Sequence, residues 1–244
     1  MKKLLFISAA AVLLAVQADN TFAGARNPSN RGLDYVVGSS DLADWSFGVY
    51  ADQWTRNLRL DGSRATTRVK NIRYMALLGY DVLPQVNAYL TAGQNATKFG
   101  YDDYEDAKWA GGAGLQFNLI DVEIADPGLL EDKLRLDAAL EGLYSQSEYR
   151  GETLSWSELY ADLTLGLVND AFGFSFLAPE SIALFTGPFY LGLFGSDFDG
   201  PGENQYALGW TVGGEIFVTK RVSLHGRYNF ADDNGFTAGV NVRF

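Results

Sequence analysis

The sequence predicts an all-β protein, a closed antiparallel up-and-down transmembrane barrel of about ten strands, with eight as the alternative count. Three observations predict it. Apolar and polar residues alternate with a period of two from Trp45 to the C-terminus. Beyond the N-terminal region no apolar run reaches helical spanning length, so a membrane crossing would have to use strands, which need only ~9–11 residues each. The chain also opens with an export-type leader.

In that leader, Lys2 and Lys3 precede an uncharged apolar run from Leu4 to Val16. Small-residue cleavage contexts follow at Val16-Gln17-Ala18 and Thr21-Phe22-Ala23. This is the pattern of a signal peptide over residues 1–23, handled by the Sec pathway and cleaved after Ala18 or Ala23. The run is shorter than the ~20 apolar residues of a spanning helix. Cleavage after residue 23 leaves 221 of the 244 residues; it removes Lys2, Lys3 and Asp19, moving the net charge from -11 to -12. Residues 24–44, rich in Gly, Ser, Asn and Asp, read as a flexible periplasmic segment, and residues 45–244 as one barrel domain.

Composition narrows the function classes. Without cysteine there are no disulfides, no thiol catalysis and no Cys-ligated metal. The acidic balance disfavours nucleic acid, whose phosphates it would repel. A near-neutral mean hydropathy of -0.07 suits a wall that alternates apolar and polar residues.

Ten segments carry the strand pattern: 45–60, 68–82, 86–98, 108–120, 132–149, 153–168, 181–197, 205–218, 221–231 and 235–244. In the second, Ile72, Tyr74, Ala76, Leu78, Tyr80 and Val82 oppose Asn71, Arg73 and Asp81. In the fifth, Leu134, Leu136, Ala138 and Leu140 oppose Arg135, Asp137 and Glu141. The sixth sets Leu159, Ala161, Leu163, Leu165 and Leu167 against Glu158, Asp162 and Thr164; Leu154 and Trp156 fall out of phase there, which predicts a bulge near Ser157. The seventh has no clear phase, and Pro188 disfavours regular pairing within it. The last three alternate cleanly. Trp210, Val212 and Ile216 oppose Thr211 and Glu215; Leu224 and Tyr228 oppose Ser223, His225 and Arg227; and Val240 and Val242 oppose Asn241 and Arg243.

An even strand count puts both chain ends at one rim, the periplasmic one in bacterial barrels. The opposite set of connections then holds most of the loop acid: Asp102, Asp103, Glu105, Asp106, Asp197, Asp199, Glu203, Asp232 and Asp233. Alternation does not by itself separate a membrane barrel from a soluble ligand-binding one, since the latter turns the same apolar face inward. Two features favour the membrane. The polar face pairs Arg73, Arg135, Arg221, Arg227 and Arg243 with Asp81, Asp137, Glu141, Glu158, Asp162 and Glu215, and the lumen charge network expected from it is Arg73, Arg135, Asp137, Glu141, Glu158, Asp162, Glu215, His225, Arg227 and Arg243. Aromatics also gather near strand ends, at Tyr80, Trp109, Tyr149, Trp156, Tyr206, Phe230, Phe236 and Phe244, where interfacial girdles lie.

The run from Gly213 to Tyr228, a Gly-Gly strand, a tight turn and then Ser223-Leu224-His225-Gly226-Arg227-Tyr228, resembles the penultimate hairpin of the OmpA-like, porin-family outer-membrane barrels. The ending Gly239-Val240-Asn241-Val242-Arg243-Phe244 is similar to the terminal strand of that group. The resemblance is strongest over residues 205–244. It implies a non-enzymatic barrel in the bacterial outer membrane, with Val240, Val242 and Phe244 as the signal read by the barrel-insertion machinery. Ten strands rather than eight, and no added peptidoglycan-binding domain, depart from the group's pattern.

Chemistry is sparse in the sequence. Ser223 and His225 lie two apart on one strand face, roughly 7 Å, too far for direct proton transfer. The order is Ser-x-His, the reverse of the lipid A deacylase type, and the Asp-x-His pair of omptin-type proteases is missing. Asp102, Asp103, Glu105 and Asp106 form a candidate weak cation-binding loop without EF-hand spacing. Gly111-Gly112-Ala113-Gly114 lacks the Lys-Ser/Thr of a phosphate loop. The expectation is therefore a barrel without catalytic residues, metal or cofactor, either a narrow channel or a structural barrel. It is expected to be monomeric, to contact outer-membrane lipid and lipopolysaccharide, and not to bind nucleic acid. A surface-binding or adhesion barrel is the alternative; a lipid-modifying enzyme and a soluble periplasmic carrier rank below it.

Overall fold

The computed structural model describes residues 45–59, 66–83, 85–100, 103–124, 132–149, 151–170, 181–195, 206–219, 221–231 and 234–244. The leader, the segment 24–44, and Asp102, Asp197, Asp199, Glu203, Asp232 and Asp233 lie outside them. Among the described residues every regular element is a strand: β1 (Trp45–Arg59), β2 (Thr66–Leu83), β3 (Val86–Phe99), β4 (Lys108–Ile124), β5 (Asp132–Tyr149), β6 (Glu152–Asp170), β7 (Ser181–Phe194), β8 (Tyr206–Thr219), β9 (Val222–Phe230) and β10 (Gly235–Arg243).

Each strand pairs antiparallel with its sequence neighbour, and β10 closes on β1 from Ser46↔Arg243 to Trp54↔Gly235. Closure leaves no sheet edge with unpaired backbone groups. The first and last described residues, Trp45 and Phe244, fall at one rim, called here the terminal rim; the opposite one is the far rim. At the far rim β5 turns into β6 through two residues, with Tyr149 paired to Glu152 and Gly151 at φ +84°, a conformation that glycine adopts without strain.

The expected alternation holds around the wall, with a consistent sense. Residues at one parity are buried inside, for example Asn71, Arg73, Met75 and Leu77, while Tyr74, Leu78 and Tyr80 stand outside and exposed. Register shifts occur at Asp81/Leu83, Asn118/Ile120 and Phe217/Thr219, all at the terminal rim. Each adds a residue to one strand and switches the parity beyond it. That is why Val82 and Leu83, and likewise Leu119 and Ile120, are adjacent yet both exposed.

No bulge lies at Ser157. The β5–β6 ladder runs unbroken through Tyr144↔Ser157 and Ser145↔Trp156, so the sequence expectation fails there. Trp156 is in phase with Glu158 and Tyr160, and all three are buried in the lumen. An apolar residue on that face signals a dry part of the lumen, not a slipped register. In β7 the phase was illegible because both faces are apolar: Phe189, Leu191 and Leu193 are buried inward, whereas Ile182 and Leu184 are exposed. At Pro188 the ladder to β6 is interrupted between Asp162↔Phe189 and Leu165↔Thr186, with the same register on either side. Pro188 still pairs with Trp210 of β8. The pairing gap expected from proline is therefore confined to one side.

Candidate functional site: a crossed and sealed lumen

Successive levels of side chains fill the barrel. Nearest the far rim, Trp54, Val69, Phe99, Trp156 and Leu193 form one buried cluster, with Tyr149 and Leu154 packed against it. Trp54 stands on β1 and Trp156 on β6, opposite one another in the ring of ten. Their ring centroids are 6.4 Å apart in an edge-to-face arrangement at 79°, a favoured geometry for aromatic pairs. The two rings therefore span the full lumen.

Below this seal lies a guanidinium bridge. Arg73 on β2 donates from Nε and Nη2 to Asp52 Oδ2 at 2.8 and 2.5 Å, and from Nη1 to Glu158 Oε1 on β6 at 2.8 Å. The Trp156 indole N–H donates to the same Glu158 oxygen at 2.8 Å, tying seal and bridge together. The Thr237 hydroxyl donates to Asp52 at 3.3 Å. Beside this bridge Glu141 accepts from the Tyr89 hydroxyl at 3.3 Å. Around it pack Tyr50, Met75, Leu77, Tyr89, Ala110 and Leu143.

A second bridge crosses from β9 to β6. Arg227 donates to Tyr160 Oη at 2.9 Å and to Asp162 Oδ2 at 2.6 Å, and Tyr160 donates to Asp162 at 3.0 Å. The same guanidinium stacks over the Tyr160 and Phe185 rings at 5.5 and 5.4 Å. Nearer the terminal rim, Arg243 binds Asp81 at 2.6 Å, Asn118 donates to Asp137 at 3.2 Å, and Arg135 faces Asp121 at 3.7 Å. A cavity of about 40 Å³, room for a few waters, lies among Arg135, Asp137, Phe185, Glu215, His225 and Arg227.

Every residue predicted for the lumen network is buried inside: Arg73, Arg135, Asp137, Glu141, Glu158, Asp162, Glu215, His225, Arg227 and Arg243. They form links at several heights, and His225 forms no hydrogen bond through either ring nitrogen. The Ser223 hydroxyl donates to Glu215 at 2.6 Å and not to His225. Arg221, expected on the polar face, is instead exposed in the β8–β9 turn, because the lumen-facing run of β9 begins only at Ser223.

The girdle assignment divides. Tyr80, Trp109, Phe230 and Phe244 are exposed outside, as are Trp45 and Trp210, and Phe236 lies half-buried on the outward parity. Trp156 is corrected to the lumen seal, and Tyr149 packs against that seal from the same side. The Tyr206 side chain lies outside the described residues. Val240 and Val242 are half-buried on the outward parity, and the Phe244 N–H donates to Trp45 O at 3.2 Å.

In the candidate cation loop, Asp102 is outside the described residues. Gly100 N–H donates to Arg68 O at 2.7 Å and Glu105 N–H to Thr97 O at 2.9 Å, so the loop folds back on the wall. Tyr104 stays partly exposed there, and its partial desolvation, with the Tyr74 phenol, pushes its hydroxyl pKa up to about 12. Among the described residues no group of three or more His, Asp or Glu is placed to hold a metal ion.

Sequence reasoning missed Asp52, Tyr89, Trp54, Phe99 and Tyr160. The signal that finds two of them is in β1, where Tyr50, Asp52, Trp54 and Arg56 alternate at period two.

No protein-family model matches the chain, and no curated protein matches it. Among solved structures it is similar to the transport unit of the autotransporter AIDA-I from Escherichia coli, at TM-score 0.45 and 10% identity over 89% of this chain and 99% of that one. It is also similar to the translocator domain of the autotransporter NalP from Neisseria meningitidis, at 0.40 and 10% over 100% of both chains. For LpxR from Salmonella typhimurium the values are 0.41 and 11%, over 82% of this chain and 100% of that one. Likeness of this degree leaves the function to be argued from the barrel's own residues.

Proposed function

We propose that this protein is a non-enzymatic outer-membrane barrel whose lumen is closed, so that it acts through its wall and its rims and not as an open channel. The distribution of polarity supports the membrane setting. Leu78, Leu90, Leu165, Leu184, Leu208 and Trp210 are exposed outside, while Arg73, Glu158, Glu215 and Arg227 are buried within. A soluble ligand-binding barrel has the reverse arrangement. So broad an apolar exterior would drive aggregation in water but is what a hydrocarbon surround requires.

The observation that carries the closed reading is the contact between Trp54 and Trp156 from opposite walls, backed by the Arg73 bridge to Glu158. An ion would have to part a packed aromatic seal and then displace a buried guanidinium from two carboxylates. Phe244 is 57% exposed at the closing strand, which supports its reading by the insertion machinery.

Planar-bilayer recording tests the proposal. Wild-type protein should show no stable openings, and the Trp54→Ala/Trp156→Ala pair should show small ones. Steady wild-type conductance would reject the closed barrel. The membrane setting is checked separately by heat-modifiable migration on a detergent gel and by fractionation, where recovery from the soluble periplasm would reject it.

A further inference from the structure

The outer wall is not evenly convex. A cleft with a volume of about 530 Å³ is cut into it across β1 to β6, within the size range of small-molecule sites. The strand register explains its shape. Two adjacent outward rows cross these strands, Trp45–Tyr80–Ala88–Leu115–Leu140 and Leu78–Leu90–Ala113–Gly142–Leu159. Ala88, Ala113 and Gly142 make a low floor running obliquely between them, and the leucines on either side make the walls. At Gly142 a Cβ would meet nothing within 4 Å, so the wall needs no glycine there for packing.

We infer that this cleft holds one acyl chain of a glycerophospholipid from the leaflet at the terminal rim. The inference rests on the membrane setting proposed above. Three observations single out that occupant. No charged side chain lines the cleft, and at one end it is bounded by the Trp45–Tyr80 pair, whose ring centroids are 4.8 Å apart. Such a pair belongs at the level where hydrocarbon gives way to head groups. The cleft is continuous with the exposed apolar wall, so a chain can enter sideways from the bilayer. A second copy fits less well: 12 residues line the cleft, against roughly 20–30 a side in a stable protein interface. The cleft starts at the rim of Trp45 and Phe244, which is the periplasmic rim of an even-stranded bacterial barrel, and there it meets the leaflet of glycerophospholipid and not that of lipopolysaccharide.

Native mass spectrometry provides the test. The full-length protein is reconstituted in vesicles of phosphatidylethanolamine and phosphatidylglycerol, re-extracted in mild detergent, and its retained lipids are counted. Wild type should keep one phospholipid. Gly142→Leu, which fills the floor, should lose it. Gly226→Leu should keep it: this outward position on β9 is equally open, with nothing within 4 Å of an added Cβ, and lies away from the cleft. Equal retention in all three proteins, no retained lipid in wild type, or a dimer in place of the lipid adduct would overturn the inference. In protein purified from its native membrane, retained lipopolysaccharide in place of phospholipid would do the same. A chain that inserts in vesicles yet keeps no lipid overturns only the cleft; a chain that stays soluble overturns the membrane reading with it.

Discussion

Arg73→Met tests whether the lumen is held by paired charge. The guanidinium and both of its carboxylate partners are almost fully buried, at 1% and 0% exposure for the Arg73–Asp52 pair and 1% and 4% for Arg73–Glu158. Methionine preserves much of the length and apolar stem but leaves two carboxylates without their cation. Breaking a buried pair in this way costs about 3–5 kcal/mol. The two orphans are not equivalent. Glu158 keeps the Trp156 indole N–H at 2.8 Å, whereas Asp52 keeps only the Thr237 hydroxyl at 3.3 Å. Neutralising Asp52 in the Arg73→Met background should therefore recover more stability than neutralising Glu158, and Asp52→Asn should be strongly non-additive with Arg73→Met. Urea unfolding from phospholipid vesicles, followed by tryptophan fluorescence, measures these four variants against wild type. A loss below about 1 kcal/mol for Arg73→Met, or additive behaviour of the pair, would refute the reasoning.

Other substitutions probe separate parts of the barrel. Gly187→Ala would put a Cβ 2.0 Å from Leu163 O, a backbone atom that cannot swing aside; it should cost about 1–3 kcal/mol or more, while Gly226→Ala stays within about 0.5 kcal/mol. Equal unfolding midpoints for the two would show that β6 and β7 do not approach as closely as described. Arg227→Lys keeps the charge but loses the two-pronged contact with Tyr160 and Asp162 and the flat stacking on Phe185. A loss of about 1–3 kcal/mol in urea is expected, and an unchanged midpoint would show that a point charge suffices. Phe244→Ala should leave the stability of refolded protein within about 0.5 kcal/mol, since the ring is exposed, yet lower the fraction assembled in the outer membrane of expressing cells. Wild-type assembly would end its role as the insertion signal.

The wall was legible in the sequence because a closed sheet imposes one rule on every residue. Ten apolar segments between turn-rich breaks matched the strands to within a few residues, with explicit period-two alternation in six of them, and the position of Arg and carboxylate on one parity sorted inside from outside. What the rule could not supply was height along the barrel axis. Arg73 and Glu158 share a face in the sequence reading, but their contact depends on strand tilt and on which residues of β2 and β6 reach the same level. Asp52 escaped because β1 was not given a phase. The three bulges escaped as well. They lie at the terminal rim, where a strand ends within a few residues and alternation has too few members to reveal a slip.

The failure at Trp156 follows from an assumption about what a lumen contains. If the enclosed side of a membrane barrel is taken as polar throughout, Leu154 and Trp156 can only be out of phase, and a bulge near Ser157 is the natural repair. In a barrel of ten strands, opposite walls are close enough for two tryptophans to touch, as Trp54 and Trp156 do. Once side chains meet across the axis, water is excluded at that level, and an apolar layer becomes the stable filling there just as in a soluble core. The charged layers beneath it then have no bulk water on the far-rim side, so their members must satisfy one another. Three carboxylates, Asp52, Glu141 and Glu158, stand around Arg73 in consequence, with hydroxyl or indole donors supplied by Thr237, Tyr89 and Trp156. An apolar residue at a lumen-facing position of a narrow barrel is thus a sign of closure. The same reading applied to Trp54 and Phe99, both on the inward parity near the far rim, points to the seal from the sequence alone.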